Sequence, residues 1–251
     1  MEAKRFIIHG KINKNLEDSL IKHGFVVDEA NPEFVFSLGG DGTMLEAIHK
    51  YMHLDDVKFI GINYGKLGFY TDFVKDDLDI VDLIINKNYK TEEFRLLELD
   101  VNNNKYYALN EILVINPVHT QNIKVLVDNA ELETFRGTGL VLSTPSGSTA
   151  FNKSLGGSIL APSIDGYQLT EMASINNRVY KTLSSPLVLA SKNIVSLNFK
   201  TTDGLQIQVD GKVVNDNEFD NVQIKMAAKK VKLITKNDTL FLERVKKSFL
   251  E

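Results

Sequence analysis

Over the first ninety residues, short apolar runs alternate with stretches whose apolar residues recur every three or four positions. "RFIIH" (5–9) reads as a strand, and "NKNLEDSLIKHG" as a helix with Leu16 and Leu20 on one face and Gly24 as its stop. "FVVDE" (25–29), "EFVFSL" (33–38) and "VKFIGIN" (57–63) are further strand candidates. After Thr43 a helical stripe carries Met44, Leu45, Ile48, Tyr51 and Met52. "DDLDIVDLIINK" (76–87) places Leu78, Val81, Ile84 and Ile85 on one helix face, with Asp76 or Asp77 as cap. Strands alternating with helices predict a parallel α/β sheet.

Near residue 92 the period changes to two. "EFRLLELDV", "KYYALNEILVIN", "NIKVLVD", "ELETF", "GLVLS", "NIVSLNF", "LQIQVDGKVV" and "NVQIKM" read as strands. Turn residues separate them at Asn102 to Asn104, Asp128-Asn129, Asp203-Gly204 and Asp210-Gly211. The closing stretch, "DTLFLERVKKSFL", returns to a mixed strand–helix pattern. The expected division is an α/β domain over 1–95, rejoined by 237–251, and a β-rich domain over 96–236.

Composition narrows the function classes. The 251 residues suffice for one large domain or two small ones with a real core. With 43% hydrophobic and 25% charged residues, the chain resembles an ordinary globular protein. Net charge is −4 and no Lys/Arg-rich block occurs, so no nucleic-acid partner is expected. "AAKKVKLITK" (227–236) alternates as a solvated strand face would. There is no cysteine, which excludes disulfides, thiolate zinc sites and a cysteine nucleophile. The first residues carry no apolar stretch of signal-peptide length, and no segment approaches a membrane span, so no membrane partner is expected.

Gly39-Gly40-Asp41-Gly42-Thr43 lies between a buried strand and a helix, where α/β sheets bind ligands. Glycines admit a phosphate close to the backbone, and a helix N-terminus offers unpaired N–H groups. Neither a Walker A lysine nor a G-x-G-x-x-G spacing is present. Asp41 is the odd member, because a carboxylate repels phosphate. A divalent cation or a proton-abstraction role would explain it; so would a tight turn in which Asp41 caps the helix. In "KYYALNEILVI", Asn110 and Glu111 interrupt an apolar run. Adjacent strand residues face opposite sides, so at least one of them is buried or lines a cleft unless a bulge intervenes. "STPSGSTAFNKSLGGSI" (143–159) is rich in Gly, Ser and Thr, suited to phosphates or sugar hydroxyls, and Phe151 could stack on a base. It also reads as a long surface loop. Asp210-Gly211 is first a hairpin turn. His49 and His53 share a polar helix stripe with Glu46 and Lys50, and no third ligand accompanies them.

The glycine loop, Asn-Glu in a strand, "TPSGSTAFNKSLGG", "TEMASINNRVYKTLSSPLV" and Val-Asp-Gly, in that order and with "GINYGKLGFYTDF" (61–73), resemble the bacterial NAD kinases over nearly the whole chain. The resemblance implies a Rossmann-like α/β N-terminal domain and a C-terminal all-β, sandwich-like domain. It implies transfer of the γ-phosphoryl of ATP, or in some members polyphosphate, to the 2′-hydroxyl of the adenosine ribose of NAD. Asp41 matches the family's general base, and Gly39, Gly40, Gly42 and Thr43 its phosphate loop. Asn110 and Glu111 match a ribose-binding pair. Thr149, Ala150, Phe151 and Ser154 match the adenine and nicotinamide pocket, and Asn152 and Lys153 are further NAD-binding positions. Phe69, Tyr70, Arg136, Ser146, Ala173, Ile175 and Asp210 stand at further NAD contacts. Thr138 stands where many members have Asp, and Phe151 where many have Tyr. Lys66, Arg136, Lys153 and Arg178 are candidate phosphate partners. Mg²⁺ or Mn²⁺ is expected to arrive with ATP rather than in a protein cage. A cytoplasmic homodimer or homotetramer is also implied. The alternatives are a lipid or sugar kinase sharing the glycine loop, and a catalytically silent dinucleotide sensor.

Overall fold

A computed structural model describes residues 3–65, 68–75, 80–215, 219, 221–236 and 241–251. Lys66, Leu78 and the cap candidates Asp76 and Asp77 lie outside that set, as do residues 237–240 of the closing segment. The chain forms two compact units, Met1–Phe94 with Val231–Glu251, and Arg95–Lys230.

The first unit is α/β. Its elements are β1 (Arg5–Gly10), α1 (Lys14–Lys22), β2 (Val26–Val27), β3 (Phe34–Gly39), α2 (Asp41–Tyr51), β4 (Lys58–Asn63), β5 (Phe73–Val74) and α3 (Ile80–Ile85). Among the described residues its pairings are parallel: β2 with β1, β1 with β3, β3 with β4, and β4 with both β5 and the returning segment Lys232–Ile234. Helix α1 starts where Asn13 Oδ1 accepts from Leu16 N–H at 3.1 Å, and the backbone turns away at Gly24, φ +83°. Leu16 and Leu20 are buried as their spacing predicts. On α2 the buried face is Met44, Ala47, Ile48 and Tyr51, so the small Ala47 rather than Leu45 or Met52 completes the stripe. The 25–29 strand shrinks to two exposed residues at the sheet margin, with only Phe25 drawn into the core. There Phe6, Phe25, Phe34 and Phe36 meet edge-on at centroid separations of 6.1 to 6.2 Å. The unit ends in the helix Phe241–Phe249.

The second unit is β-rich and antiparallel. β6 (Lys90–Val101), which enters from the first unit, forms a hairpin with β7 (Asn104–Ala108). Then follow β8 (Glu111–Ile115), β9 (Gln121–Val127), β10 (Ala130–Gly137) and β11 (Gly139–Ser143). A 3₁₀ turn (Gly147–Thr149) leads into the one-turn α4 (Phe151–Ser154). β12 (Gly166–Met172), β13 (Leu187–Ala190), β14 (Ile194–Phe199), β15 (Gln206–Val209), β16 (Lys212–Val213) and β17 (Val222–Thr235), whose last residues belong to the first unit, complete it. One layer runs β10-β9-β14-β17, with β6 and β7 beside β17; the other runs β13-β12-β11-β8-β15-β16. One core cluster takes Val125, Phe135, Val195 and Ile224 from the first layer and Ile112, Leu140, Leu169 and Ile207 from the second, which is the construction of a sandwich. Three hairpins close through two-residue loops with positive φ at both positions: Asn102 and Asn103, Asp128 and Asn129, Asp210 and Gly211. That is the type I′ geometry, and Asn, Asp and Gly tolerate it best.

Candidate active site

In the α/β unit, β3 is buried along its whole length and delivers the chain directly into α2. A Cβ on Gly39 would lie 2.2 Å from Thr43 Oγ1, whereas one on Gly40 or Gly42 would meet nothing within 4 Å. Only the first glycine is demanded by packing; the other two leave the backbone at the helix N-terminus open. Asp41 is the first residue of α2 and does not cap it. The cap position is Gly40, without a side-chain bond. The Asp41 carboxylate instead accepts from the backbone N–H groups of Phe69 (2.9 Å, Oδ2) and Tyr70 (3.0 Å, Oδ1). Gly68 lies against it: a Cβ there would stand 2.2 Å from Asp41 Oδ1. Two N–H donors orient the carboxylate yet leave acceptor capacity on both oxygens, as a proton acceptor needs. Gly68 was missed by sequence reasoning. The signal lay in "KLGFY", but nothing local ties a glycine to a carboxylate 27 positions earlier.

In the β-rich unit, Asn110 sits in the bend that precedes β8 and Glu111 is the first residue of that strand, so no bulge is needed to separate their directions. Asp210 builds that bend. While its backbone makes the hairpin turn, its carboxylate accepts from the N–H groups of Leu109 (2.7 Å), Asn110 (2.8 Å) and Glu111 (3.1 Å). Asn110 is buried, and Glu111 Oε2 is buried without a hydrogen-bond partner. Burial, and then the charge of Asp210, pushes the Glu111 carboxyl up to about 8. At neutral pH Glu111 therefore carries a proton and can donate to a ligand oxygen.

The first half of the 143–159 segment is not a surface loop, whereas most of 151–159 is exposed. Ser143, Thr144, Ser148, Thr149 and Asn152 are buried, and its hydroxyls are largely spent on holding it. Thr144 and Ser146 donate to Leu109 O at 2.5 and 3.0 Å, Thr149 to Ser146 O at 3.1 Å, and Ser154 to Phe151 O at 2.7 Å. Thr170 donates to Asn152 Oδ1 at 2.7 Å. A Cβ on Gly147 would come within 2.0 Å of Asn110 O, so this segment and the Asn110 bend are packed backbone to backbone. Ala150 begins α4, Lys153 is exposed, and the Phe151 ring, 41% exposed, is free to stack on a flat ligand.

A second group assembles at the ends of β10 and β12. Ile175 N–H donates to Arg136 O at 2.7 Å and Thr138 N–H to Met172 O at 3.0 Å. Ala173 takes φ +47°, and the Arg136 guanidinium lies 4.3 Å from the centre of the Tyr180 ring. Arg136, Thr138, Ala173 and Ile175 are thus neighbours despite their separation in sequence, while Arg178 is exposed on the following segment. Among the described residues no group of three or more His, Asp or Glu stands together as a metal cage would require.

Residues 11–92 match the family model for the ATP-NAD kinase N-terminal domain, and residues 103–236 that for the C-terminal domain. The chain is 39% identical over 243 residues to NAD kinase 1 of Bacillus anthracis, covering 94% of this chain and 92% of that one. It is 41% identical to NAD kinase 1 of Listeria monocytogenes over 232 residues, 89% and 88% of the two chains. In fold it is similar to a yeast NADH kinase solved with NADH, at TM-score 0.83 and 19% identity over 97% of this chain and 86% of that one. It is also similar to an NAD kinase from Archaeoglobus fulgidus solved with ATP, at TM-score 0.79 and 23% identity over 97% and 98%. None of these likenesses favours a lipid kinase, a sugar kinase or a silent sensor. With both domain models matched in order and relatives near 40% identity along almost its full length, the chain belongs to the NAD kinase family.

Proposed function

We propose that phosphorylation of NAD to NADP by this chain, with ATP as donor, runs through Asp41 as general base. The carboxylate takes the proton of the adenosine-ribose 2′-hydroxyl as that oxygen attacks the γ-phosphorus, and ADP leaves with the bridging electrons. One observation carries this reading: the Asp41 carboxylate is oriented by two backbone N–H groups beside an open, glycine-lined helix N-terminus. Gly39, Gly40, Gly42 and Thr43 form the phosphate loop. In the β-rich unit, Asn110 and protonated Glu111 address ribose oxygens, and Phe151 stacks on the adenine. Thr149, Ala150, Asn152, Lys153 and Ser154 shape the same subsite, with Ser146 and Asp210 behind it. Arg136, Thr138, Ala173 and Ile175 form the remaining NAD contacts. Phe69 and Tyr70 serve both NAD and Asp41.

A divalent cation, Mg²⁺ or Mn²⁺, belongs to the ATP substrate, whose phosphate oxygens supply its ligands. It neutralises charge on the triphosphate that Asp41 would otherwise repel. The same reading makes the protein a cytoplasmic homodimer or homotetramer, and light scattering on the purified protein distinguishes the two. The activity test is NADP formation from NAD, ATP and Mg²⁺, read through an NADP-specific dehydrogenase. Asp41→Asn should lower turnover by about 10²- to 10⁴-fold while NAD affinity by calorimetry stays within about twofold. A fully active Asp41→Asn enzyme removes Asp41 from the base role. Silence of the wild type with both ATP and polyphosphate removes the whole reading.

A further inference from the structure

The segment that orients Asp41 has no regular secondary structure of its own at Gly68 to Tyr70. It is held from outside, by the C-terminal helix. Arg244 Nη1 donates to Phe69 O at 2.8 Å, and Nη2 donates to Asp72 Oδ1 at 2.6 Å. The backbone N–H of Lys236 donates to Asp72 Oδ2 at 3.3 Å. From the last turn of the same helix, the Phe249 ring lies 5.8 Å from that of Phe69. Arg244 and Asp72 are both almost wholly buried, with side-chain exposures of 8% and 3%. Phe69 O and Tyr70 N–H belong to one peptide group. A guanidinium on its oxygen polarises the N–H at its other end, and that N–H points at Asp41 Oδ1. Gly68 removes slack from the arrangement, since not even a methyl group fits between its backbone and the carboxylate. Movement of 68–70 therefore moves Asp41. Stability alone does not call for this construction, because a buried ion pair is often no more stabilising than apolar residues of similar volume.

We propose that Arg244 is a positioning residue for phosphoryl transfer: from the C-terminal helix it sets the Asp41 carboxylate through the Phe69–Tyr70 peptide. The role rests on the reading of Asp41 as base. It differs from a mere structural pair in what it predicts for the variants.

The test is steady-state NAD kinase assay of the full-length chain with Arg244→Ala, Arg244→Lys, Asp72→Asn and Asp41→Asn, with a melting temperature for each. Arg244→Ala should lower kcat by about 10- to 100-fold with the KM for NAD within about twofold, as expected when an interaction acts on the chemical step. Arg244→Lys has a compact ammonium in place of a planar fork, cannot hold Phe69 O and Asp72 in the same geometry, and should fall between. Millimolar methylguanidinium should restore part of the Arg244→Ala turnover and leave the wild type unchanged. Asp72→Asn keeps Nη1 on Phe69 O; it should melt lower yet keep kcat within about threefold. The proposal is overturned if Arg244→Ala, or Arg244→Lys should the alanine variant not fold, turns over at the wild-type rate. It is overturned equally if loss of kcat simply follows loss of melting temperature across the Arg244 and Asp72 variants. Failure of the base reading is seen separately, as an active Asp41→Asn enzyme.

Discussion

Asp41 stands in a glycine turn and Glu111 in an apolar run, and the tertiary structure gives the two acids opposite tasks. Asp41 receives two backbone N–H groups that orient its carboxylate. Glu111 is half-buried, its Oε2 enclosed without a partner, and burial and the Asp210 charge raise its carboxyl to about 8. Between the ordinary carboxyl range and that value, the folded protein holds a proton at Glu111 that the unfolded chain releases. Stability contributed there is fully present below about pH 4.5 and is lost as pH climbs to 8, by at most about 1.4 kcal/mol per pH unit. Glu133 adds to the same trend: burial, opposed by the Leu183 N–H and helped by Glu171, raises it to about 7. The melting temperature of the ligand-free protein should therefore fall from pH 5 to pH 8. Glu111→Gln should flatten the curve and stabilise the protein at pH 8; parallel curves for wild type and variant would contradict the assignment. The adjacency of Asn110 and Glu111 was visible in the sequence as an anomaly. The protonation of Glu111 was not, since it is set first by burial and then by Asp210, 99 positions away.

At the scale of the element, the glycine loop separates packing from function. Gly39→Ala would drive a methyl group into Thr43 and should cost about 1–3 kcal/mol, measurable by denaturant unfolding. Gly42→Ala meets no atom and lies inside a helix, so it should gain about 0.5–1 kcal/mol. If the loop receives phosphates, that stabilised variant should nevertheless show a raised KM for ATP; an unchanged KM would argue that no phosphate approaches there. The 210–211 hairpin is a second double-purpose element. Asp210→Asn keeps a residue suited to positive φ but turns an amide N–H₂ toward backbone donors. It should destabilise by about 1–3 kcal/mol without altering the turn. Turn residues and strand periods were legible because a type I′ loop is decided by two residues and their own φ angles. The 143–159 segment was legible as special in composition but not in use. Whether a serine hydroxyl faces a ligand or a carbonyl such as Leu109 O depends on a chain segment more than thirty positions away.

At the scale of the whole molecule, the chain leaves the α/β unit after Phe94 and re-enters it at Val231, so the last 21 residues complete the unit that the first 94 began. Because the divalent cation comes with ATP in this reading, a chelator should abolish turnover while leaving the melting temperature of the ligand-free protein unchanged. A large fall in melting temperature on chelation would point instead to a resident metal. The sequence by itself determined the class of both units, the turns between strands, the order of the family's motifs and the identity of Asp41 as a carboxylate out of place. These are properties of neighbouring residues, expressed through side-chain period and local dihedral preference. Only the tertiary structure decided that Asp41 is held by Phe69 and Tyr70 rather than capping its helix, that Asp210 shapes the Asn110 bend, and that Arg244 reaches the Phe69 carbonyl from the C-terminal helix. Each of those is a hydrogen bond across 28 to 175 positions. Such bonds form because folding buries polar groups that must then find partners, and no period in the sequence records which partner they find.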